Sequence, residues 1–165
     1  MATTMPGGSV VSEAELVARI RTDRAAGLTC SFANGCFDVL HVGHVRYLTG
    51  AAAEGDRLIV AINDDASVAA LKGPGRPVQA AADRADLIAA LRVVDYVVVF
   101  PDLTVERLLT TLRPEVHCKG CDYTVDTVPE RGVVLAYGGR TVIVGDEKDH
   151  STRDVIARIR EQPGE

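Results

Sequence analysis

The fold of this chain is organised around the segment Asn34-Gly35-Cys36-Phe37-Asp38-Val39-Leu40-His41-Val42-Gly43-His44. An apolar run at 28–33 precedes the segment and predicts a strand, and a periodic run at 42–53 predicts a helix. Unpaired N–H groups in the first turn of such a helix favour bound phosphate. His41 and His44 are three residues apart and would lie on one helix face, while Gly35 and Gly43 let backbone or phosphate come close. The segment therefore predicts a phosphate-binding turn.

Strands alternate with helices along the rest of the chain, which predicts an α/β fold. Continuous apolar runs at 57–62 and 95–100 are typical of strands buried on both faces of a parallel sheet. We expect a single domain with a Rossmann-like, doubly wound parallel sheet of five strands in the order 3-2-1-4-5. The predicted strands are 28–33, 57–62, 95–100, 115–119 and 141–144, and the predicted helices are 12–26, 42–53, 65–71, 83–91, 104–112, 131–137 and 151–160.

Composition sets bounds on function. The 165 residues predict one domain, over 12–165, preceded by a disordered Gly- and Thr-rich segment at 1–11. The 18 basic and 23 acidic side chains give a net charge of −5, which argues against a nucleic-acid partner. No apolar run approaches the roughly 20 residues of a membrane helix, and 1–8 do not form a secretory signal, so a cytoplasmic location is expected.

Several short blocks of sequence follow the opening segment in order along the chain. They are Leu71-Lys72-Gly73 with Arg76-Pro77-Val78, Arg84, Lys119-Gly120 with Asp122-Tyr123, Gly138-Gly139, and Ser151-Thr152. With Gly-Cys-Phe-Asp and His-Val-Gly-His, these blocks resemble the nucleotidyltransferases that carry a His-x-Gly-His motif. Within that superfamily the chain is similar to bacterial heptose 1-phosphate adenylyltransferases, otherwise found as the C-terminal half of a bifunctional heptose kinase/adenylyltransferase. The resemblance covers about 12–159.

The resemblance implies a set of site residues. Nucleotidyl transfer needs donors aimed at the α-phosphate and at the leaving group, and His41 and His44 can supply them. Lys119 is a third candidate catalytic residue and, with Asp122, a candidate for binding the acceptor. Mg²⁺ is expected on the phosphates, with Asp122 as one possible ligand, although no cluster in the sequence fixes the metal ligands. The expected nucleotide contacts are Gly35, Cys36, Phe37, Asp38, Gly43, Lys72, Arg84, Ser151 and Thr152.

Two positions depart from the family pattern. Related cytidylyltransferases tend to carry an arginine five residues before the Ser-Thr pair, where this chain has Asp146. Lys148 is expected to replace that arginine in part. Arg153 stands where many relatives have a second threonine. The first departure points away from cytidylyl transfer to glycerol phosphate or choline phosphate.

Four cysteines, including the C-x-x-C pair Cys118 and Cys121, raise the question of metal or redox chemistry. A zinc site needs a second pair of ligands nearby, and the sequence has none. We expect reduced thiols in and beside a strand.

The leading functional hypothesis is transfer of AMP from ATP to D-glycero-β-D-manno-heptose 1-phosphate, giving ADP-heptose and pyrophosphate for lipopolysaccharide synthesis. A separate heptose kinase and a homodimer are expected with it. One alternative is another pair of substrates, such as CTP with a polyol phosphate, another sugar 1-phosphate, or ATP with a flavin phosphate. Others are a non-catalytic nucleotide-binding regulator and, on the C-x-x-C alone, a thiol or metal protein. The absence of G-x-G-x-x-G and G-x-x-x-x-G-K-[ST] disfavours a dehydrogenase or a P-loop kinase.

Overall fold

Six parallel strands form one sheet in the computed structural model, which describes residues 7–147 and 150–163. The strand order is β1-β4-β3-β2-β5-β6. The predicted order 3-2-1-4-5 corresponds to β4-β3-β2-β5-β6 and is confirmed, but the predicted number of five strands is wrong. The strands are β1 (Ser9–Val10), β2 (Cys30–Gly35), β3 (Arg57–Asn63), β4 (Tyr96–Phe100), β5 (Val116–Lys119) and β6 (Arg140–Ile143).

The additional strand, β1, lies at the edge of the sheet and falls inside the segment expected to be disordered. Ser9 and Val10 pair with Tyr96 and Val97 of β4. At these two positions the expected disorder is wrong, because backbone pairing to an existing sheet edge orders them without an apolar pattern of their own. Residues 1–6 of the same segment lie outside the described residues.

Helices cover both faces of the sheet, as the doubly wound prediction requires. Their bounds and those of the strands agree with the predicted bounds to within two residues. Side chains from α2 and α4 fill the core on one face, and side chains from α1, α5 and α6 fill the core on the other. The helices are α1 (Glu13–Ala25), α2 (Val42–Ala52), α3 (Asp65–Lys72), α4 (Ala81–Ala89), α5 (Glu106–Leu112), α6 (Arg131–Ala136) and α7 (Thr152–Glu161), with a 3-10 turn at Val125–Thr127.

The side chains of β3 point alternately to the two faces of the sheet, which explains why its sequence is apolar throughout. Leu58, Val60 and Ile62 pack into the core beneath α2 and α4, while Ile59 and Ala61 pack into the opposite core. Because successive side chains point to opposite faces, a strand covered on both faces needs apolar residues at every position.

The strand order reverses between β2 and β5, and this point positions the site. β2 pairs with β3 on one side and with β5 on the other, so the chain leaves the carboxyl ends of β2 and β5 in opposite directions. A crevice opens at such a reversal, and ligands of doubly wound sheets bind there. Among the described residues, no helix has the length and apolar character needed to cross a membrane.

Candidate active site

A cavity of about 700 Å³ opens at the carboxyl ends of β2 and β5. It brings together every predicted site residue except Arg84. Its lining includes Asn34, Gly35, Cys36, Phe37, Asp38, His41, Gly43, His44, Arg46, Tyr47, Lys72, Arg76, Lys119, Cys121, Asp122, Tyr123, Asp146, Glu147, His150, Ser151, Thr152, Arg153 and Asp154.

His41 and His44 cap the first turn of α2 reciprocally. His41 is the N-cap residue, and its Nδ1 accepts a hydrogen bond of 3.1 Å from the backbone N–H of Gly43. The backbone N–H of His41 in turn donates to Nδ1 of His44 at 3.2 Å. An imidazole nitrogen that accepts carries no proton, so in both rings the proton sits on Nε2. Each histidine is therefore a neutral N–H donor held by the helix it caps.

Burial fixes this protonation state at His44. Its ring stacks on that of His41 with 3.8 Å between centroids and lies 5.4 Å from the Phe37 ring. Burial, together with the charge that His41 would carry, lowers the pKa of His44 to about 4. At neutral pH the ring is uncharged, and it contributes to the cavity a hydrogen-bond donor rather than a cation.

The turn between β2 and α2 has an uncommon backbone. Phe37 and Val39 adopt φ values of 48° and 57°, a region that non-glycine residues rarely occupy. Gly43 is required by a close contact, because a Cβ there would lie 2.8 Å from the His41 ring. The glycine in the His-Val-Gly-His motif thus makes room for the capping imidazole, whereas the sequence suggested an approach of backbone or phosphate.

Asp38 holds the loop after α3. Its buried carboxylate accepts hydrogen bonds from Arg76 Nε at 2.7 Å, from Val78 N at 2.8 Å and from Gln79 N at 3.0 Å. No part of this side chain is exposed. These three donors belong to the loop and take up most of the carboxylate's acceptor sites, and the predicted contact between Asp38 and the nucleotide stays a prediction.

Arg84 is the one predicted site residue that does not line the cavity, so its contact with the nucleotide stays a prediction. Its side chain is fully buried and does not line the cavity. The guanidinium donates to the backbone carbonyls of Cys36, Asn63 and Gln79 and pairs with Asp65 at 2.8 Å. Arg84 therefore ties together the segments that follow β2 and β3. Four of its five N–H donors are directed at backbone carbonyls and one carboxylate, and its side chain is fully buried away from the cavity.

Cationic side chains reach the cavity from the end of α3 and the loop after it. Lys72 ends α3, and Arg76 follows it in the loop held by Asp38. Cys36, beside them, is half-buried, and its burial raises the pKa of the thiol against the opposing effect of Lys72. Cys36 therefore stays a neutral thiol, and the positive charge on this side of the cavity comes from Lys72 and Arg76.

The opposite wall carries Lys119 at the end of β5. Its Nζ lies 3.8 Å from Oε2 of Glu130 and 5.0 Å from the centroid of the Tyr123 ring. Burial lowers the pKa of Lys119, and Glu130 opposes that change. Asp122 lines the same wall and is exposed. The predicted acceptor residues, Lys119 and Asp122, thus lie across the cavity from Lys72.

Ser151 and Thr152 bring the start of α7 to the cavity. Ser151 is the N-cap, accepting from the backbone N–H of Asp154 at 3.1 Å and donating to the Asp154 carboxylate at 2.7 Å. The Thr152 hydroxyl donates to the carbonyl of Asp38 at 2.9 Å, which ties α7 to the turn after β2. Both residues line the cavity, so their predicted contact with nucleotide stays a prediction.

The departures from the family pattern fall at the cavity mouth. Asp146 pairs with Arg46 of α2 at 3.2 Å, and both side chains are exposed. Arg153 lines the cavity as well. Lys148, expected to replace the missing arginine in part, lies outside the described residues. An arginine from α2, Arg46, therefore stands next to Asp146.

Sequence reasoning missed Asn34, although it is the first residue of the opening segment. Its Oδ1 accepts a 3.0 Å hydrogen bond from Nε2 of His117, which is fully buried in β5. Burial and the nearby Lys119 charge lower the pKa of His117 to about 3, so that ring is neutral at pH 7. With Oδ1 engaged, the Asn34 amide presents its N–H₂ group as a donor at the cavity.

The C-x-x-C pair is split between core and surface. Cys118 is buried in β5 and Cys121 is exposed at the cavity, and both are free thiols. Within 7–147 and 150–163, no group of three or more His, Cys, Asp or Glu side chains could hold a metal ion. The pair thus has no additional ligands of these types around it in this part of the chain.

Known proteins are similar to this chain over most of its length. A family model described as cytidylyltransferase-like matches residues 32–163. The bifunctional protein HldE of Pseudomonas entomophila is 48% identical over 151 residues, and that of Ectopseudomonas mendocina is 50% identical over 151 residues. Each match covers 92% of this chain but 32% of the relative, so the chain spans about a third of their length.

A solved structure is similar to this chain in fold. The lipopolysaccharide core biosynthesis protein from Thermoplasma volcanium superposes with a TM-score of 0.63 at 25% identity, covering 74% of this chain and 100% of that one. The matched family segment, 32–163, contains the strand reversal, both capping histidines and Lys119. The chain belongs to the cytidylyltransferase-like family of nucleotidyltransferases.

Proposed function

We propose that this protein transfers AMP from ATP to D-glycero-β-D-manno-heptose 1-phosphate, with release of pyrophosphate. The observation that carries the chemistry is the reciprocal cap on α2, which fixes two neutral Nε2–H donors beside a cavity lined by Lys72, Arg76 and Lys119. The choice of ATP and heptose phosphate rests on the resemblance of the ordered sequence blocks and on relatives that are about half identical over 92% of the chain.

The reaction needs alignment and charge stabilisation but no nucleophile from the enzyme. A phosphate oxygen of the acceptor forms a bond to the α-phosphorus while the bond to the pyrophosphate oxygen breaks, and the electron pair leaves with pyrophosphate. His41 and His44 donate to oxygens of the α- and β-phosphates, where negative charge grows in the transition state. Lys119, across the cavity, holds the acceptor phosphate, and Lys72 and Arg76 hold the triphosphate.

The cavity suits a Mg²⁺ ion that arrives with the triphosphate. Members of this family typically use a divalent metal, and Mg²⁺ keeps several waters and binds one or two carboxylates plus substrate phosphates. The exposed carboxylates of Asp122, Asp146 and Glu147 line the cavity and could supply such ligands. When bound, the ion would neutralise charge on the phosphates.

A pyrophosphate-release panel tests the proposal. Purified protein is supplied with Mg²⁺ and each of ATP, CTP, GTP and UTP, combined with heptose 1-phosphate, other sugar 1-phosphates, glycerol 3-phosphate or flavin phosphate. ATP with the heptose phosphate should exceed every other pair, and mass spectrometry should identify ADP-heptose. Another winning pair would keep the histidine roles and discard the heptose assignment. Release from no pair would favour the nucleotide-binding regulator.

Two further parts of the proposal rest on the resemblance and on the substrates. The resembling family suggests a homodimer, which sedimentation velocity would show as a species of about twice the chain's 17.5 kDa. Both proposed substrates are phosphorylated metabolites, which are made and consumed in the cytoplasm, and we place the reaction there. Fractionation of cells with an antibody against the chain tests that location.

A further inference from the structure

Glu130 is a buried carboxylate that the proposed reaction does not use. It immediately precedes α6 and is 7% exposed. Its Oε2 has no hydrogen-bond partner in the described part of the chain. An unsatisfied buried oxygen costs about 1–3 kcal/mol, so its presence calls for an explanation.

The cation near this oxygen is Lys119. The distance of 3.8 Å from Nζ to Oε2 is too long for a hydrogen bond but short enough for strong attraction between charges that are largely shielded from water. The two side chains are 12% and 10% exposed. On another side, the Tyr123 ring centroid lies 5.0 Å from Nζ, within the range of a cation–π contact.

We propose that Glu130 is a positioning residue, which holds the Lys119 ammonium charged and facing the cavity so that its N–H donors reach the acceptor phosphate. This inference rests on the proposed function, since it assigns Lys119 to the acceptor. The 3.8 Å separation matters because a true hydrogen bond would occupy one of the three ammonium donors. Glu130 attracts the charge without occupying that donor.

The titration of Lys119 provides the readout. Burial lowers its pKa and Glu130 raises it, so removal of the Glu130 carboxylate leaves the effect of burial unopposed. Tyr123, in the loop after β5, contacts this lysine, and His117 within β5 is neutral at pH 7. Asp122, in the same loop as Tyr123, lines the same cavity. None of these groups changes in a Glu130 variant.

The experiment is an NMR titration of protein carrying ¹³C-labelled lysine, with the Lys119 signal assigned by its absence in Lys119→Arg. In Glu130→Gln the midpoint of Lys119 should move to lower pH by about one unit or more. Glu54→Gln is the matched control, because Glu54 pairs with Arg140 at 2.9 Å away from the cavity lining. Its Lys119 midpoint should equal that of the wild type.

An unchanged Lys119 midpoint in E130Q would overturn the proposal, whichever substrates the enzyme proves to use. If E130Q does not fold, Glu130→Asp takes its place, with a smaller displacement in the same direction expected. Kinetics provide a second measurement. The alkaline limb of the pH profile of kcat/KM for the sugar phosphate should follow the Lys119 midpoint. In the K119R background, E130Q should no longer move that alkaline limb. If the wild type shows no transfer, the proposed function fails while the titration still decides the role of Glu130.

Discussion

Replacement of Asp38 by asparagine tests whether this carboxylate organises the turn and the cationic loop. The side chain is fully buried and accepts three hydrogen bonds from residues of the loop after α3, one of them from Arg76. Asparagine keeps the size but replaces one oxygen by an N–H₂ group. At least one loop donor then faces another donor, and the Arg76 guanidinium loses its counter-charge.

The expected cost follows from the burial of the pair. Removing one partner of a buried ion pair costs about 3–5 kcal/mol of unfolding free energy, because the other charge is left uncompensated. The Arg76 side chain is 16% exposed, so water can solvate the guanidinium in part. We therefore expect the lower end of this range, about 3 kcal/mol.

Urea unfolding followed by far-UV circular dichroism measures this difference, since the chain has no tryptophan to serve as a fluorescence probe. Asp126→Asn is the matched control, because the Asp126 side chain is 88% exposed and its pair with Arg131 is 3.7 Å long. This control should change stability by less than about 0.5 kcal/mol. A loss below about 1 kcal/mol in Asp38→Asn would refute the argument that the carboxylate anchors the loop.

The pH dependence gives a second check on Asp38. Burial raises its pKa, but the N–H groups of Val78 and Gln79 and the Arg76 guanidinium outweigh burial and lower the pKa overall. The folded pKa therefore lies below the unfolded value, which is about 4. The stabilisation by the ionised Asp38 carboxylate is complete above the unfolded pKa and is lost as the pH falls through the folded pKa. The stability difference between wild type and D38N should narrow only below about pH 4.

Three further predictions concern the histidines and Arg84. His44→Ala should lower kcat about 10²–10³-fold in pyrophosphate release, and a loss confined to KM would contradict a transition-state role. Arg84→Met should lower the unfolding free energy by more than about 2 kcal/mol, because three backbone carbonyls lose their hydrogen-bond donor. Weaker ATP binding at unchanged stability would contradict this structural role and favour a contact with the nucleotide. Because burial lowers the pKa values of His44 and His117 to about 4 and about 3, the unfolded state binds more protons below about pH 6.5, and urea unfolding should show stability falling from there. A flat profile between pH 7 and pH 4 would contradict neutral buried imidazoles.

The parts of the fold that were predicted correctly depend on local signals. Ser12, Asp64 and Ser151 each accept a hydrogen bond from a backbone N–H three residues on, and side chains of these types mark helix starts in sequence. Unbroken apolar runs mark strands covered on both faces, and their alternation with helices indicates a doubly wound parallel sheet. The strand order was inferred from that fold. β1 was missed because two residues are too few to show any period, and its order comes from the edge of β4.

Two predicted site residues have structural partners that lie far away in sequence. Arg84 donates to the carbonyl of Cys36, 48 positions earlier, and Asp38 accepts from Arg76, 38 positions later. The sequence of a helix does not show whether a charged side chain faces solvent or a group of backbone carbonyls. The type of residue was therefore predictable in the cationic blocks, but its partner was not.

The cap on α2 explains why the motif uses histidine for both donors. Lys72, Arg76 and Lys119 carry charge and attract phosphate in the ground state as well as in the transition state. A lysine or arginine at position 44 would add charge but could not accept the backbone N–H of His41, so the helix would lose a capping bond. Neutral imidazole has an acceptor at one edge and a donor at the other. The hydrogen bond that holds the helix start in place therefore also determines which nitrogen presents a proton to the phosphates.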